Sequence, residues 1–485
     1  MKIRMLLMML LLTLTLIACQ EDVVIQLDVP SNFTIESSTL SFDVVENASR
    51  YRIETFDVNT EVTKKYFVTE DQDLSKLFFP PGTYEIKIQA VGDGKVYLDS
   101  AFSTAISYVQ EDPYQVSEIT GEFLTDDIKI RWFGRNAYQT ATNANYFYFT
   151  ASGFEVKFHG TELQAELLTG TNPVGKEPHL VLPVGKEPHL VLFIDGNNNP
   201  EEGTVLVLDQ KKKTYTLVSG LEEGEHTVRV LKRSESIDSL TGLSKITTDG
   251  YFMDTDPLRT RKIEVIAASS SAGFGNLAAN TNESKSTQNS DGLRAYAYLA
   301  SRMLDAEINI FSASGWPLLK GPWTGSNNIP SAYKYVDVYS TVEWNHQLYS
   351  PDLIIINLGT NDWSYITSLS SAEKTQALLN FENAFVAFIG ELHSIHPNAA
   401  IAIAYGLMNE TNIYTPTVNV YNQAKLAYPE LDLFKIQLPS VNAQEGIGSS
   451  SHPGLLTHIR AGGELAEAIA EWLDWNIVYP NIDQE

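Results

Sequence analysis

The spacing of the apolar residues changes once along the chain, near residue 259, and that change limits the architectures open to it. Before it, apolar residues alternate with polar ones in short runs such as Leu40-Ser-Phe-Asp-Val, Tyr84-Glu-Ile-Lys-Ile-Gln-Ala-Val, Phe154-Glu-Val-Lys-Phe and His226-Thr-Val-Arg-Val-Leu. A period of two is that of strands with one buried face, so this half reads as antiparallel β-sandwich. After it, Ile263-Glu-Val-Ile and Leu353-Ile-Ile-Ile-Asn are short continuous apolar runs, as in parallel strands covered on both faces. Residues 372–393 and 457–475 instead repeat apolar residues at three and four positions, the spacing of helices. A chain of 485 residues also exceeds what one hydrophobic core holds. The expected fold class is therefore multidomain, with two N-terminal β-sandwich domains followed by an α/β domain with a parallel sheet.

Turn signals place the boundaries. Residues 23–110 form the first sandwich, punctuated by Pro80-Pro81-Gly82 and Gly92-Asp93-Gly94. Its stretch Phe79-Pro-Pro-Gly-Thr-Tyr-Glu-Ile-Lys-Ile-Gln-Ala resembles the late strands of a fibronectin type III or immunoglobulin-like module, which implies a spacer. Residues 112–258 form the second sandwich, expected to be a jelly-roll, with strand-like runs at Ile128-Lys-Ile-Arg-Trp and Tyr146-Phe-Tyr-Phe. Within it Pro173-Val-Gly-Lys-Glu-Pro-His-Leu-Val-Leu182 recurs unchanged as residues 183–192. Two copies make no solenoid; one strand and its lead-in have been copied, and only one copy can fill the place in the sheet. No binding role is expected of His179 or His189. The α/β domain occupies residues 259–480.

At the N-terminus, Lys2 and Arg4 precede an apolar run from residue 5 to 18 that is too short to span a bilayer, so residues 1–18 read as a signal peptide. The sequence Leu16-Ile17-Ala18-Cys19 resembles the lipobox of bacterial lipoproteins. That resemblance implies lipidation of Cys19, a lipid anchor in the membrane and residence in the cell envelope, with Gln20 pointing to the outer membrane. Cys19 is the only cysteine, which excludes a disulfide framework. With 34 Lys plus Arg against 60 Asp plus Glu, the net charge of -26 argues against nucleic acid as a partner.

Four loops of the α/β domain carry chemistry, each beside the end of a strand or the start of a helix, where open parallel sheets gather their catalytic groups. They are Ala267-Ala-Ser-Ser-Ser-Ala-Gly-Phe-Gly-Asn276, Phe311-Ser-Ala-Ser-Gly315, Leu358-Gly-Thr-Asn-Asp362 and Ser450-Ser-His-Pro453. In this order they resemble the loops of an SGNH hydrolase, whose parallel sheet is flavodoxin-like. Residues 112–480 as a whole are similar to carbohydrate esterase family 2, which joins a jelly-roll to that hydrolase. Arg131-Trp-Phe-Gly-Arg135, Phe158-His-Gly-Thr161, Ile194-Asp-Gly196 and Gly224-Glu-His-Thr-Val228 resemble the family's jelly-roll landmarks.

The resemblance implies that Ser269 is the nucleophile and His452 the base that takes its proton, since a serine hydroxyl needs a neighbouring base near neutral pH. It further implies an oxyanion hole made by the backbone amides of Ser269 and Gly315 and the side-chain amide of Asn361. Ser270 and Ser271 adjoin the nucleophile, and counting back from Gly273-Phe-Gly275-Asn276 selects Ser269. Two positions depart from the family. Its Gly-Asp before the nucleophile is Ala267-Ala268 here, and its aspartate two residues before the histidine is Ser450. Orientation of the imidazole is left to a backbone carbonyl, Ser450 or a more distant acid such as Glu445. Asp362 is expected to brace its loop and His458 to cap or pack the last helix. His346, His393 and His396 have no metal-ligand spacing, and neither a metal nor an organic cofactor is implied. Trp316, Trp363 and Tyr365 follow catalytic loops and either stack on a sugar ring or pack the wall.

The expected function is removal of acyl groups, O-acetyl first among them, from a polysaccharide such as xylan or glucomannan through an acyl-serine intermediate. Two alternatives remain open at this point: a degenerate hydrolase serving as a surface glycan-binding lipoprotein, and an esterase or lipase acting on non-carbohydrate esters.

Overall fold

The computed structural model describes residues 24–479 apart from 37, 59, 75–76, 78–81, 111–116, 122, 127–128 and 173–184. The leader with Cys19, Phe79-Pro80-Pro81, the start of the Ile128 run, and the first repeat copy with His179 lie outside the described residues. The chain divides into two compact units, one of residues up to 77 together with 82–110, the other essentially residue 111 onward.

In the first unit the alternating runs pair into an antiparallel sheet ordered Thr63–Val68, Arg50–Asp57, Gly82–Val91, Ile106–Gln110. A three-stranded sheet joins Thr34–Glu36, Thr39–Ser41 and Gln72–Asp73. Along Gly82–Val91 the residues Tyr84, Ile86 and Ile88 are buried while Glu85 is exposed, which is the pleat's two-residue period turned into an inside and an outside.

The second unit opens with a jelly-roll-like sandwich of two antiparallel sheets. One runs in the order Asn136–Gln139, Ala144–Phe147, Leu240–Thr248, Leu163–Gly170, Lys212–Val218; the other runs Ile130–Phe133, Gly153–Gly160, Gly224–Lys232, His189–Ile194, Thr204–Val207. Phe147, Phe154, Phe158, Leu190, Val228 and Leu243 pack in one core between them. The second repeat copy supplies the start of the strand His189–Ile194. Its unbroken apolar run has a physical reason. Leu190 and Leu192 point into the sandwich core, while Val191 and Phe193 on the opposite face pack with Ile263 and Val265 of the α/β domain.

The α/β domain is built on five parallel strands: β1 (Arg261–Ala267), β2 (Ala306–Ser312), β3 (Leu353–Asn357), β4 (Ala400–Tyr405) and β5 (Leu433–Gln437). Their spatial order is β2-β1-β3-β4-β5, the flavodoxin-like order of an SGNH hydrolase. Helices α1 (Tyr296–Met303), α2 (Thr360–Thr367), α3 (Ser371–Ile395), α4 (Tyr414–Ala427) and α5 (Leu455–Leu473) complete the layers. Odd and even residues of each strand serve different layers. Ile266, Ile354, Ile356 and Ile401 meet Phe381, Phe385 and Phe388 of α3, whereas Val265, Ile355 and Ala402 meet Met303 of α1 and Leu465 and Ile469 of α5. Helix α3 starts where a capping box of Ser370 and Glu373 satisfies its first free amides. No described helix is long and apolar enough to cross a membrane.

The sandwich also reaches into the α/β domain through Arg135, which is fully buried. Its guanidinium donates to the carbonyls of Tyr333 and Tyr335, lies 3.4 Å from the Glu264 carboxylate, and stacks over the Phe311 and Tyr333 rings at 4.1 and 4.5 Å. The order of the strands puts the turn after β1 and the turn after β3 side by side, at the point where the chain leaves the sheet in opposite directions. That crevice holds the candidate site.

Candidate active site

Strand β1 ends at Ala267, and Ser269 stands half-buried on the turn that follows it. The amides of Ala272 and Phe274 both donate to the Ser269 carbonyl, at 3.1 and 3.2 Å, which coils the turn tightly beneath the hydroxyl. The Asn276 side chain and the Asp291 backbone exchange two bonds of 2.9 Å, tying the far end of the turn to the segment before α1. These bonds brace the loop where Ala267-Ala268 supplies no carboxylate. Gly275 has φ of 53° and runs so close to the Ser449 side chain that a Cβ would lie 2.3 Å from it. Glycine therefore lets the nucleophile loop and the histidine loop touch.

His452 Nε2 lies 2.8 Å from Ser269 Oγ, and Nδ1 lies 3.0 Å from the Ser449 carbonyl. A carbonyl can only accept, so the neutral ring carries its hydrogen on Nδ1 and presents the Nε2 lone pair to the serine hydroxyl. Burial pushes the imidazole down to about 4 against the pull of the Ser449 and Ser450 backbone. The ring is covered by Phe274, stacked on it at 4.1 Å. The base is thus neutral, and ready to accept, well below neutral pH.

Of the expected alternatives for orienting His452, the Ser449 carbonyl is the one in contact. Glu445 is committed elsewhere: its carboxylate takes bonds from Arg460 at 2.7 and 2.8 Å and from Thr457 at 2.7 Å. Ser270 and Ser271 are buried, and Ser271 Oγ is bonded to the Tyr296 hydroxyl at 2.8 Å, whereas the hydroxyl that meets His452 is that of Ser269. His458 is fully buried; its Nδ1 accepts from the Tyr296 amide at 3.3 Å, so it packs α5 against the start of α1.

Of the expected oxyanion donors, Ser269 and Asn361 line one cleft, and Asn361 is bonded to the residue after Gly315. Gly315 sits at φ of 79° inside a turn closed by the Trp316 amide on the Ala313 carbonyl, a backbone shape that favours glycine. Neither the Ser269 nor the Gly315 amide donates to another group among the described residues. Asn361, in the first turn of α2, is fixed by one bond from Nδ2 to the Trp316 carbonyl at 2.8 Å. Its other hydrogen is left for an incoming oxygen. Asp362 accepts the amides of Leu318, Leu319 and Lys320 at 2.7–3.0 Å and so ties the Gly315 loop to α2, although burial pushes its carboxyl up to about 6. Beside the nucleophile is a small cleft lined by Ala268, Leu358, Gly359 and Met408.

The aromatic residues are sorted differently from their order in sequence. Trp316 is 3% exposed and packs edge-on against Tyr339, so it is wall and not a stacking platform. Trp363 is half-buried against the core, and Tyr365 has the Lys320 ammonium 4.5 Å above its ring. An exposed aromatic beside this loop is Trp323, at 65%, whose side chain lies within 3.8 Å of where a Cβ on Gly315 would be. Its signal in the sequence is a tryptophan in the Gly- and Pro-rich stretch Lys320-Gly-Pro-Trp-Thr-Gly325 just after a catalytic loop. Among the described residues no group of three or more His, Cys, Asp or Glu side chains could hold a metal ion.

Residues 132–255 match the model of the carbohydrate esterase 2 N-terminal domain, and residues 246–436 that of GDSL-like lipase/acylhydrolase. The chain is 29% identical over 336 residues to the cellulase/esterase CelE of Acetivibrio thermocellus, covering 67% of this chain but only 37% of that protein. It is 26% identical over 285 residues to an acetylxylan esterase / glucomannan deacetylase of Cellvibrio japonicus, covering 58% of this chain and 75% of the relative. Among solved structures, a family two carbohydrate esterase from Clostridium thermocellum in complex with cellohexaose superposes with a TM-score of 0.62 at 25% identity. That likeness covers 71% of this chain and 99% of the other.

Proposed function

We propose that the protein removes acyl groups, chiefly acetyl, from a polysaccharide such as xylan or glucomannan through an acyl-serine intermediate. The observation that carries this reading is the Ser269–His452 pair at 2.8 Å with the ring nitrogen behind it on a carbonyl. Ser269 Oγ attacks the ester carbonyl while His452 Nε2 takes its proton. The resulting oxyanion lies among the Ser269 and Gly315 amides and Asn361 Nδ2, which are aimed before the charge appears. The protonated ring then gives its proton to the leaving sugar hydroxyl, and a water activated by the same nitrogen releases the acid. A narrow cleft walled by Leu358 and Met408 suits a short acyl chain, and exposed Trp323 gives a sugar ring a flat apolar face. The named activity of the Cellvibrio japonicus relative supports the substrate class.

Two further expectations belong to the same proposal. The first unit is a fibronectin type III-like spacer, supported by its sheets of three and four strands. Cys19 carries a lipid that holds the chain at the outer membrane of a bacterial envelope, supported by Leu16-Ile17-Ala18-Cys19. Metabolic labelling with a fatty acid, lost in Cys19→Ala, tests the anchor.

Acetate release from acetylated xylan, acetylated glucomannan and p-nitrophenyl acetate, compared with Ser269→Ala, tests the chemistry. Release abolished by the substitution is expected, and release undiminished by it refutes the assignment. A second reading, glycan held in the cleft without turnover, is favoured by the exposed Trp323 face. It gains if polysaccharide binds and no ester is cleaved.

A further inference from the structure

We infer that Glu235, contributed by the sandwich, is a positioning residue for the Gly315 oxyanion donor; the inference rests on the reading of Ser269 as nucleophile. Glu235 lies in residues 233–239, the connection between strands Gly224–Lys232 and Leu240–Thr248. Connections of this kind normally run over the surface, because their polar groups need water. Here Arg233, Ser234, Glu235, Ser236, Asp238 and Ser239 are all buried. Burial of polar side chains is costly unless they find partners, and Arg233 and Glu235 find theirs in the segment after the nucleophile and in the Ser314 turn.

Glu235 grips the residue before Gly315 at both of its donors. Oε2 accepts the Ser314 amide at 3.0 Å and Oε1 accepts the Ser314 hydroxyl at 2.8 Å. The Lys285 ammonium lies 2.9 Å from Oε1 and pairs with the carboxylate on the side away from the Ser314 amide's acceptor. Lys285 is in turn held by Asp238, which also receives Lys186 from the second repeat copy. Arg233 anchors the segment following the nucleophile by donating to the carbonyls of Gln288 at 2.7 Å and Ser290 at 3.1 Å.

The geometry of the turn explains why such a grip matters. In the four-residue turn 313–316 the one closing bond, Trp316 amide to Ala313 carbonyl, leaves the central peptide between Ser314 and Gly315 unbound. Rotation of that central peptide is what separates one turn type from another, and it turns the Gly315 N–H through roughly half a circle while the closing bond survives. An oxyanion donor is worth its full effect only when it is aimed in advance. Fixing Ser314 by amide and hydroxyl together holds the preceding residue, from which the central peptide departs, in one orientation.

The test uses the full chain with Glu235→Ala, Glu235→Gln and Ser314→Ala. In Glu235→Ala, Lys285 keeps Asp238 as a partner, and Ser314→Ala removes one bond and no charge, so at least one variant folds. Expected are a kcat on p-nitrophenyl acetate lowered roughly 10- to 100-fold in Glu235→Ala with KM within about twofold. Glu235→Gln, which retains one accepting oxygen, should be intermediate, and the acid limb of the pH profile should stay in place. Amide hydrogen exchange of the peptide spanning 313–316 should accelerate in Glu235→Ala. Unchanged kcat in a wild-type-active protein, or a fall in which KM rises in step, overturns the inference alone. If the wild-type protein shows no Ser269-dependent turnover, the functional reading fails instead. Exchange at 313–316 then decides the grip by itself, and exchange unmoved by Glu235→Ala overturns it.

Discussion

The depressed basicity of His452 makes a quantitative prediction about the acid limb of the reaction. An imidazole in water has an ordinary value of 6.5, and burial brings this one to about 4. At about 1.4 kcal/mol per pH unit the environment disfavours the charged ring by about 3 kcal/mol. The base works only when neutral, so kcat/KM falls as pH drops through the value in the free enzyme. At pH 5.5 a ring titrating at 6.5 is neutral in about a tenth of molecules, one titrating at 4 in about 97%. Acetate release from p-nitrophenyl acetate, followed from pH 3.5 to 8 at constant ionic strength, should therefore be nearly as fast at pH 5.5 as at 7.5. The limb should centre between pH 4 and 5. Phe274→Ala uncovers the ring face now stacked at 4.1 Å, admits water to it, and should move the limb up toward 6.5. A wild-type midpoint at or above pH 6 refutes the argument that burial holds this histidine neutral.

Four other substitutions test separate parts of the structure. Asn361→Ala removes one oxyanion donor and should lower kcat on p-nitrophenyl acetate by about 10²- to 10³-fold with little change in KM. Trp323→Ala should raise KM for acetylated polysaccharide by roughly three- to tenfold while leaving hydrolysis of methyl acetate unchanged, since that ester has no ring to stack. Glu445→Gln should leave the pH profile in place because Glu445 bonds Arg460 and Thr457 and not His452. Phe385→Ala empties a fully buried position between α3 and the sheet and should cost about 3–5 kcal/mol in denaturant-measured stability.

What the sequence discloses here depends on whether local pattern or distant packing decides the matter. The switch from alternating runs to continuous apolar strands is local, since it follows from whether one face or two faces of a strand are covered, and the parallel sheet lies where Ile263 and Leu353 announced it. The candidate nucleophile and base were legible because each sits in a distinctive loop, even though 183 positions separate them. Aromatic roles were less so. Trp316 adjoins Gly315 in sequence, yet the turn sends its ring inward onto Tyr339, while Trp323 comes back over the glycine from eight residues away. Proximity along the chain carries no direction for a side chain. Glu235 was invisible for a related reason. An acid in a short connection of a sandwich reads as surface, and only the docking of that connection on the Ser314 loop makes it part of the site.

Arg135 bears on how the second unit is made and lost. Its guanidinium comes from the sandwich, yet its acceptors and most of its ring neighbours belong to the α/β domain. A fragment begun at residue 259 would keep Glu264, 2% exposed at its side chain, without the cation facing it. That carboxyl would keep its bonds from the Tyr333 hydroxyl and the Asn309 amide, and breaking a buried ion pair from one side costs about 3–5 kcal/mol at most, a large part of a domain's whole stability. The two folds should therefore melt as one cooperative body, which calorimetry checks as a calorimetric enthalpy equal to the van't Hoff value. For the same reason recombination between genes would transmit them only as a pair.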